Sequence, residues 1–207
     1  MAKRQSALAS VYHPGMHGQP GEPGVRLQEI ADLNLVQIAA WPDMLGSAAK
    51  DVAHAIGADQ APGPGHSVST EQGTALRVEA LKWWLLDCGM PTLDAKTAVC
   101  LDLSHSRTRI LVSGPEASVC LNRLLPLDLR PDRFGINQVA NAGIHHVGVT
   151  LRRSDAGYEL FIPRGFAVSL WELLVETAEQ FGLEIIEPAF SSRRRGFSPG
   201  LKNCCLD

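Results

Sequence analysis

The sequence has little of what a membrane-spanning or nucleic-acid-binding chain requires. No apolar run reaches the roughly 20 residues that a helix needs to cross a bilayer, and residues 1–4 are followed by polar, glycine-rich sequence rather than by the apolar core of a signal peptide. The net charge is −3, and no dense basic face is available for a phosphate backbone. The basic run Arg193 to Arg195 is interpreted as part of a solvated tail. These features predict a cytoplasmic protein with no membrane or nucleic-acid partner.

Motifs that hold metals, cofactors or an activated nucleophile are also missing. The five cysteines are odd in number and show no Cys-x-x-Cys spacing, so the sequence predicts neither a disulfide framework nor a zinc site. Gly-x-Gly-x-x-Gly, Gly-x-x-x-x-Gly-Lys, His-Glu-x-x-His and Gly-x-Ser-x-Gly do not occur, although these motifs would hold a dinucleotide, a phosphate, a zinc ion or an exposed serine. We therefore predict no cofactor and no metal in this chain.

Glycine and proline divide the chain into segments. Residues 1–26 carry few large apolar groups, too few to offset the entropy of ordering, and are predicted to be a flexible N-terminal arm. Residues 57–73 include Pro62-Gly63-Pro64-Gly65 and are predicted to be a long exposed loop. The C-terminal residues 191–207 are predicted to be a flexible tail, which leaves residues 27–190 as one folded domain.

Strand and helix patterns alternate within that domain. Apolar or period-two runs predict strands at 33–38, 75–79, 81–86, 97–103, 107–112, 144–151, 158–162 and 183–186. A β-hairpin turn is predicted at 152–157. Helical spacing predicts helices at 48–56, at 117–125 after a Ser113–Glu116 capping box, and at 166–181 before Gly182. Two groups of strands, each backed by a helix, indicate an α+β fold with antiparallel or mixed sheets.

Asp102, Ser104 and His105 suggest a catalytic cluster because they are almost adjacent. In an extended strand, however, Asp102 and Ser104 share one face while His105 points to the other. The three residues therefore cannot form a nucleophilic triad by themselves. The alternative is that Asp102 and Arg107 or Arg109 form side-chain hydrogen bonds that fix a strand junction or meet another subunit. We predict no catalytic residue.

Two further pairs of neighbouring residues are interpreted by the same strand geometry. His145 and His146 would point to opposite faces of a strand, so they would not share a metal without a bulge. Trp83 and Trp84 would likewise point to opposite faces. One of these tryptophans should pack in the core, and the other should lie under a loop or reach a partner surface.

Several blocks of sequence resemble the gamma subunit of heterotetrameric sarcosine oxidase. These blocks agree in order and spacing, within a resemblance that covers about residues 33–186, and they are 101–109, 112–115, 124–129, 146–149 and 158–171. The resemblance implies a fold similar to part of the aminomethyltransferase of the glycine cleavage system. It also implies a complex that oxidises sarcosine to glycine, with hydrogen peroxide and either formaldehyde or 5,10-methylenetetrahydrofolate as products.

The resemblance further implies a non-catalytic subunit that packs on the large alpha chain, in a complex that also contains beta and delta subunits. FAD, FMN, NAD, tetrahydrofolate and zinc are expected in those partner subunits and not in this chain. Trp41, one of Trp83 and Trp84, and Arg164 are expected as interface anchors, because large rigid or forked side chains give the most energy per contact.

Two alternatives stay open. The chain could be the small subunit of a related N-methylglutamate dehydrogenase complex, or a free-standing folate-binding one-carbon transferase with Asp102 or His105 near the pterin.

Overall fold

The structure is a computed structural model that describes residues 5–190. The predicted C-terminal tail, with its arginine run and the Cys204-Cys205 pair, lies outside the described residues. Within residues 5–190, no helix is both long enough and apolar enough to span a membrane.

Thirteen strands and three α-helices make up the described chain. The strands are β1 (Gly15–His17), β2 (Val25–Ala31), β3 (Leu35–Ala40), β4 (Ser67–Ser69), β5 (Thr74–Glu79), β6 (Lys82–Leu86), β7 (Ala98–Asp102), β8 (Arg107–Ser113), β9 (Val139–Ile144), β10 (Val147–Ser154), β11 (Gly157–Pro163), β12 (Leu183–Ile185) and β13 (Ala189–Phe190). The helices are α1 (Leu45–Ile56), α2 (Ala117–Asn122) and α3 (Ala167–Glu179), and short 3-10 helices span Pro42–Met44 and Arg164–Phe166.

The strands form two sheets. The large sheet has eight strands in the order β1-β12-β2-β8-β11-β10-β9, with β13 paired beside β2. The small sheet has five strands in the order β4-β5-β6-β3-β7. Most pairs are antiparallel, while β12 and β13 run parallel to β2. Consecutive strands β7 and β8 belong to different sheets, so the turn between them crosses from one sheet to the other.

Four layers result from the way these sheets pack. Helices α2 and α3 cover one face of the large sheet, where Leu160 of β11 and Trp171 of α3 share a core. The small sheet covers the opposite face, where the rings of Phe161 and Trp84 meet edge to face at 5.7 Å. Helix α1 covers the far side of the small sheet, packing Val52 in the core that contains Trp83. The predicted α+β class is confirmed.

The structure corrects the prediction of a flexible arm over residues 1–26, from residue 5 onward. Leu8 is fully buried, and Tyr12 stacks on Trp171 with ring centroids 4.9 Å apart. Strand β1 pairs with β12 along the edge of the large sheet. A Cβ at Gly18 would lie 2.2 Å from the carbonyl oxygen of Glu179, so glycine is what allows this segment to run against the end of α3. The glycines therefore permit close packing here.

The predicted exposed loop over residues 57–73 also needs correction. It contains β4, which pairs antiparallel with β5, and Ser67 is only 4% exposed. An isolated bridge joins His66 to Gln138 of the large-sheet region. The polar residues of this segment are used in contacts between the sheets.

The start of α2 differs from the predicted capping box. In that motif the Ser113 hydroxyl would accept the Glu116 backbone N–H. Instead, the Glu116 N–H donates to the carbonyl oxygen of Gly24 at 2.9 Å, and Ser113 ends strand β8. The helix begins after Glu116 without a side-chain cap and ends at Asn122, three residues before the predicted end at 125. The other two predicted helices and the 152–157 hairpin are present.

Candidate functional site

The turn that crosses between the sheets contains the residues first suspected of catalysis. Asp102 ends β7, and its carboxylate accepts the backbone N–H of Ser104 at 2.8 Å. The Ser104 hydroxyl is buried and accepts the backbone N–H of Leu35 at 3.0 Å. A short polar side chain that bonds the backbone two residues on favours a turn of this kind. Asp102 and Ser104 therefore hold the crossing turn against β3.

The strand geometry that separated these residues in the sequence analysis was wrong. Ser104 and His105 lie in a turn and not in a strand, and the His105 side chain is exposed. Within the described residues, the expected hydrogen bond from the Arg107 or Arg109 guanidinium to the Asp102 carboxylate is not found. Arg107 donates to the carbonyl oxygen of Ser106 at 3.2 Å, and its guanidinium lies 5.5 Å from the centre of the Trp84 ring. A nucleophile needs an adjacent base, and Ser104 faces the backbone of Leu35 instead.

A cluster of ionised side chains joins the two sheets. Glu159 of β11 accepts hydrogen bonds from Arg152 of β10 at 3.0 Å and from Arg109 of β8 at 3.0 Å. Arg109 also bonds Asp87, which directly follows β6 of the small sheet, at 3.1 Å. We call Asp87, Arg109, Arg152 and Glu159 the inter-sheet ion cluster.

Strand β4 completes the hydrogen bonding of this cluster from the side of the small sheet. Arg152 donates to the hydroxyls of Ser67 and Ser69 at 3.0 Å and 2.6 Å. The side chains of Arg152 and Glu159 are only 7% and 6% exposed. Burial lowers the pKa of Arg152, and the neighbouring Glu159 carboxylate opposes that change. An arginine nevertheless stays charged in a protein, so the cluster is a neutral set of two cations and two anions.

Sequence reasoning missed the inter-sheet ion cluster, although a signal was present. Glu159 interrupts a strand whose six residues from Gly157 to Ile162 are all buried. A carboxylate is almost never buried unless it is paired, so a charge within such an apolar run indicates a buried partner. Its arginine partners could not be named, because they come from other strands. We interpret the cluster as a structural joint, since the described partners of its two guanidinium groups all belong to this chain.

His145 and His146 occupy a position other than the predicted one. They form the two-residue turn of the β9–β10 hairpin, between the paired residues Ile144 and Val147. His145 has φ 52°, a conformation that a tight hairpin turn requires. Both imidazoles are exposed. Across residues 5–190, no three His, Cys, Asp or Glu side chains are grouped closely enough to hold a metal ion.

Three of the four expected interface anchors are aromatic, and the structure separates them. Trp83 and Trp84 do point to opposite faces of β6, but both are buried, at 0% and 5% exposure. The Trp83 indole donates to the carbonyl oxygen of Pro62 at 3.4 Å, which places it beneath the 57–73 segment. Each of these indoles is covered by this chain itself, so neither is free to anchor a partner. Trp41 differs, because 49% of it is exposed.

Arg164, the fourth expected anchor, lies beside a cavity of about 200 Å³ at the end of β2 and the start of β8. Its guanidinium donates to the carbonyl oxygen of Gln5 at 2.7 Å. Glu29 and Arg107 also line the cavity, and Glu29 accepts the Ser6 hydroxyl at 2.6 Å. Charges of both signs line this cavity, next to the N-terminal segment.

Comparison with known proteins finds relatives along most of the chain. No protein-family model matches. The sarcosine oxidase subunit gamma of Corynebacterium sp. (strain U-96) is 28% identical over 171 residues, which are 78% of this chain and 82% of that protein. The subunit gamma of Arthrobacter sp. is 28% identical over 69% of this chain and 73% of the relative. The aminomethyltransferase of Thermoanaerobacter sp. (strain X514) is 31% identical, but over only 40% of this chain and 23% of the enzyme.

Solved structures show the same fold. A chain of the heterotetrameric sarcosine oxidase from Corynebacterium sp. U-96, in complex with pyrrole 2-carboxylate, aligns with a TM-score of 0.74 and 24% identity over 86% of this chain and 96% of that chain. Aminomethyltransferase T of the Bartonella henselae glycine cleavage system aligns with a TM-score of 0.57 and 16% identity, over 79% of this chain and 48% of that chain. The resemblance drawn from the sequence blocks is thus confirmed: this chain is similar to the gamma subunits of sarcosine oxidase along most of its length.

Proposed function

We propose that this chain is the non-catalytic gamma subunit of a heterotetrameric sarcosine oxidase. The observation that carries the proposal is the similarity to subunit gamma over 78% of this chain and 82% of the Corynebacterium relative. Similarity that spans about four fifths of both chains is what two versions of the same subunit would have. The alpha, beta and delta subunits are then its partners.

The described polar side chains support a structural role for the subunit. Ser104 and Asp102 bond the backbone of the crossing turn and of β3. Arg109 and Arg152 of the large sheet both bond Glu159, and Arg109 also bonds Asp87 beside the small sheet. Groups held in this way keep two sheets in a fixed relation, which suits a subunit that holds larger domains in register. Trp41 and Arg164 remain our proposed interface anchors.

In the proposed complex, the chemistry takes place in the partner subunits. Sarcosine gives up two electrons and its N-methyl carbon, and it leaves as glycine. Oxygen takes the electrons and two protons to become hydrogen peroxide. The oxidised methyl carbon is hydrolysed by water and leaves as formaldehyde, or it passes to tetrahydrofolate. FAD, FMN, NAD, tetrahydrofolate and zinc belong, in this proposal, to the partner subunits.

Purification from the native host tests this proposal. We expect the tagged chain to bring down three further chains similar to the alpha, beta and delta subunits, in a complex with a flavin absorbance spectrum and sarcosine-dependent peroxide release. A complex that oxidises N-methylglutamate instead would identify the related dehydrogenase. This chain would not contact the substrate in either complex, so only the activity assay separates the two.

A free-standing folate-binding transferase is the second candidate, and the aminomethyltransferase similarity favours it. That similarity covers only 23% of the Thermoanaerobacter enzyme, and His105 is exposed on a turn. Equilibrium dialysis of the isolated chain against tetrahydrofolate separates the two candidates. We expect no binding and a colourless protein, whereas tight folate binding would favour the transferase.

A further inference from the structure

The face of the small sheet that packs on the large sheet continues beyond the area that the large sheet covers. Leu35 of β3 packs in the core between the sheets. Gln37 and Ala39 lie on the same face of β3, because side chains two residues apart share a face. Their partners on β7 are Leu101 and Val99, respectively, and these two side chains are 53% and 49% exposed. An apolar part of this face therefore lies open.

Trp41 extends this open area past the end of β3. Its backbone is extended, with φ −71° and ψ 143°, so the alternation along β3 places its side chain on the same face as Ala39. Its indole N–H donates to the carbonyl oxygen of Ala95 at 3.0 Å, which fixes the ring while leaving 49% of the residue exposed. We call Trp41, Val99 and Leu101 the β7 corner.

Polar groups surround the β7 corner. Lys82 belongs to β6, the strand on the other side of β3, where it pairs with Ala39. Its ammonium group forms an ion pair with Glu79. Gln37 is the β3 partner of Leu101. Its amide oxygen accepts the Trp84 indole N–H at 3.1 Å, and the Arg107 guanidinium lies over that indole. An apolar centre with a polar rim is the usual arrangement of a protein interface, and grouped exposed apolar side chains mark such sites better than scattered ones.

Within residues 5–190, the backbone of β7 is also open, because this strand is the edge of the small sheet. The flanking bonds Trp41 N–H to Thr97 and Leu103 N–H to Leu35 fix which residues of β7 face β3. Alternate residues of an antiparallel strand bond the same neighbour, so Val99 and Leu101 bond β3. The N–H and C=O groups of Cys100 and Asp102 then point to the open edge. Proteins commonly blunt such edges with lysine, proline or a bulge, and β7 carries none of these.

We infer that β7 accepts an extended segment of another subunit as a sixth strand of the small sheet, with apolar side chains of that segment against the β7 corner. This inference rests on the proposed function, which supplies the partner subunits. An edge with outward N–H and C=O groups beside an apolar face binds an extended segment, since main-chain bonds give the affinity and side-chain contacts the specificity.

The heterotetrameric relative favours a different polypeptide over a second copy of this chain as the added strand. A two-fold pairing of two copies centred on Cys100 would set Ala98 opposite Asp102, and the Ala98 N–H already donates to the carbonyl oxygen of Asp94 at 3.2 Å. A two-fold pairing centred on Leu101 would set Cys100 opposite Asp102 and would not use Ala98, so the oligomeric state measured in the test below distinguishes a second copy from a different polypeptide.

Two variants test the backbone and the apolar face separately, in the complex purified from the native host. Cys100→Pro removes an outward N–H at a position where an edge strand tolerates proline. Leu101→Lys places a charge in the centre of the β7 corner. The control is Ile136→Lys, because Ile136 is 55% exposed and lies outside the corner. We expect either test variant to reduce recovery of the partner subunits by at least about ten-fold, as at interface hot spots, and the control to leave recovery unchanged.

Circular dichroism of each isolated variant checks that the variant folds. When it does, a lower recovery of partner subunits reports weaker binding at the interface and not misfolding. Hydrogen exchange adds a readout on the unmodified chain: the Cys100 and Asp102 amides should exchange more slowly in the complex than in the isolated chain. Wild-type recovery with both variants and unchanged exchange at both amides would overturn the inference while leaving the proposed function intact. A homodimer that forms through the corner, detected by ultracentrifugation and lost in Leu101→Lys, would also overturn it. An unmodified chain that recovers no partner subunits would defeat the proposed function, and the inference with it.

Discussion

One face of the small sheet has two halves that are built in opposite ways. Where the large sheet covers it, Leu35 and Trp84 pack on Phe161, and Arg109 of the large sheet pairs with Asp87 across the joint. Where the large sheet ends, Val99 and Leu101 are about half exposed, and no other strand of the described residues pairs with the outer edge of β7. Ion pairs thus border the half that the large sheet covers, while apolar side chains and unpaired backbone groups are exposed on the other half. The difference indicates which half is complete and which half needs a partner.

The largest effect should come from breaking the covered half at Glu159. Glu159→Ala leaves the buried Arg152 with only the two serine hydroxyls as described partners. Removing one member of a buried ion pair costs about 3–5 kcal/mol, so the urea midpoint of unfolding should fall sharply at neutral pH. The control is Glu184→Ala, because Glu184 pairs with Arg26 at 2.8 Å while both side chains are more than a third exposed, and it should cost less than about 1 kcal/mol. Equal losses in the two variants would show that the joint is not sealed by its ions.

Ser104 lies where the covered half passes into the crossing turn, and its loss should rank second. Ser104→Ala leaves the buried N–H of Leu35 without the hydroxyl acceptor, at a cost of about 1–3 kcal/mol in unfolding free energy. His105→Ala changes an exposed side chain and should stay within about 0.5 kcal/mol of the unmodified chain. Urea titration of both variants measures the difference. The reverse order would return His105 to consideration as a structural or functional group.

Tyr12 extends the comparison to the N-terminal segment, which the structure packs against α3. Its hydroxyl donates to the carbonyl oxygen of Ile186 at 2.6 Å and accepts the Glu29 N–H at 2.9 Å. Tyr12→Phe should cost about 1 kcal/mol at neutral pH, measured by urea unfolding.

The pH dependence of Tyr12→Phe gives a second readout. Burial raises the pKa of Tyr12 from 10.0 to about 12, so the unfolded chain loses the phenolic proton first. This contribution to stability is complete below pH 10 and is lost as pH rises to about 12. The unmodified chain should therefore lose more stability than Tyr12→Phe across that range. Parallel pH profiles would indicate that the hydroxyl is solvated and the segment loose.

The smallest effect on stability should come from the open half. Leu101 is 53% exposed at the sheet edge, so Leu101→Lys should change the unfolding free energy of the isolated chain by no more than about 0.5 kcal/mol. Thermal unfolding followed by circular dichroism measures this. A large loss would mean that Leu101 supports the fold, which would remove the contrast between the halves.

The sequence predicted most elements, because their signals are local. The stripe before Gly182 predicted α3, and the Asp-Ala-Gly stretch predicted the β10–β11 hairpin. The division of β7 and β8 between two sheets could not be predicted, since each strand satisfies the same local pattern whichever sheet it joins. The prediction of a flexible N-terminal arm was wrong for a related reason. Large apolar side chains are few in this segment, but Leu8 is buried in the core of the large sheet and Tyr12 stacks on Trp171 of α3.

The candidate site was predicted less well than the fold. The resemblance pointed to the correct relatives, and Trp41 was named from residue type alone. Trp83 and Trp84 were named by the same reasoning, but other segments of this chain cover them. Val99 and Leu101 were missed, because an apolar residue in a strand looks the same whether the facing layer is present or absent. Exposure of this kind is set by where the large sheet ends, which no local pattern contains.

Purification of the tagged full chain from its native host, with identification of every co-purifying chain, tests most directly whether this protein is a subunit. We predict a complex in which this chain is accompanied by three others similar to the alpha, beta and delta subunits, with flavin absorbance and sarcosine-dependent peroxide release. Recovery of the chain alone, as a stable monomer without flavin, would contradict the proposal.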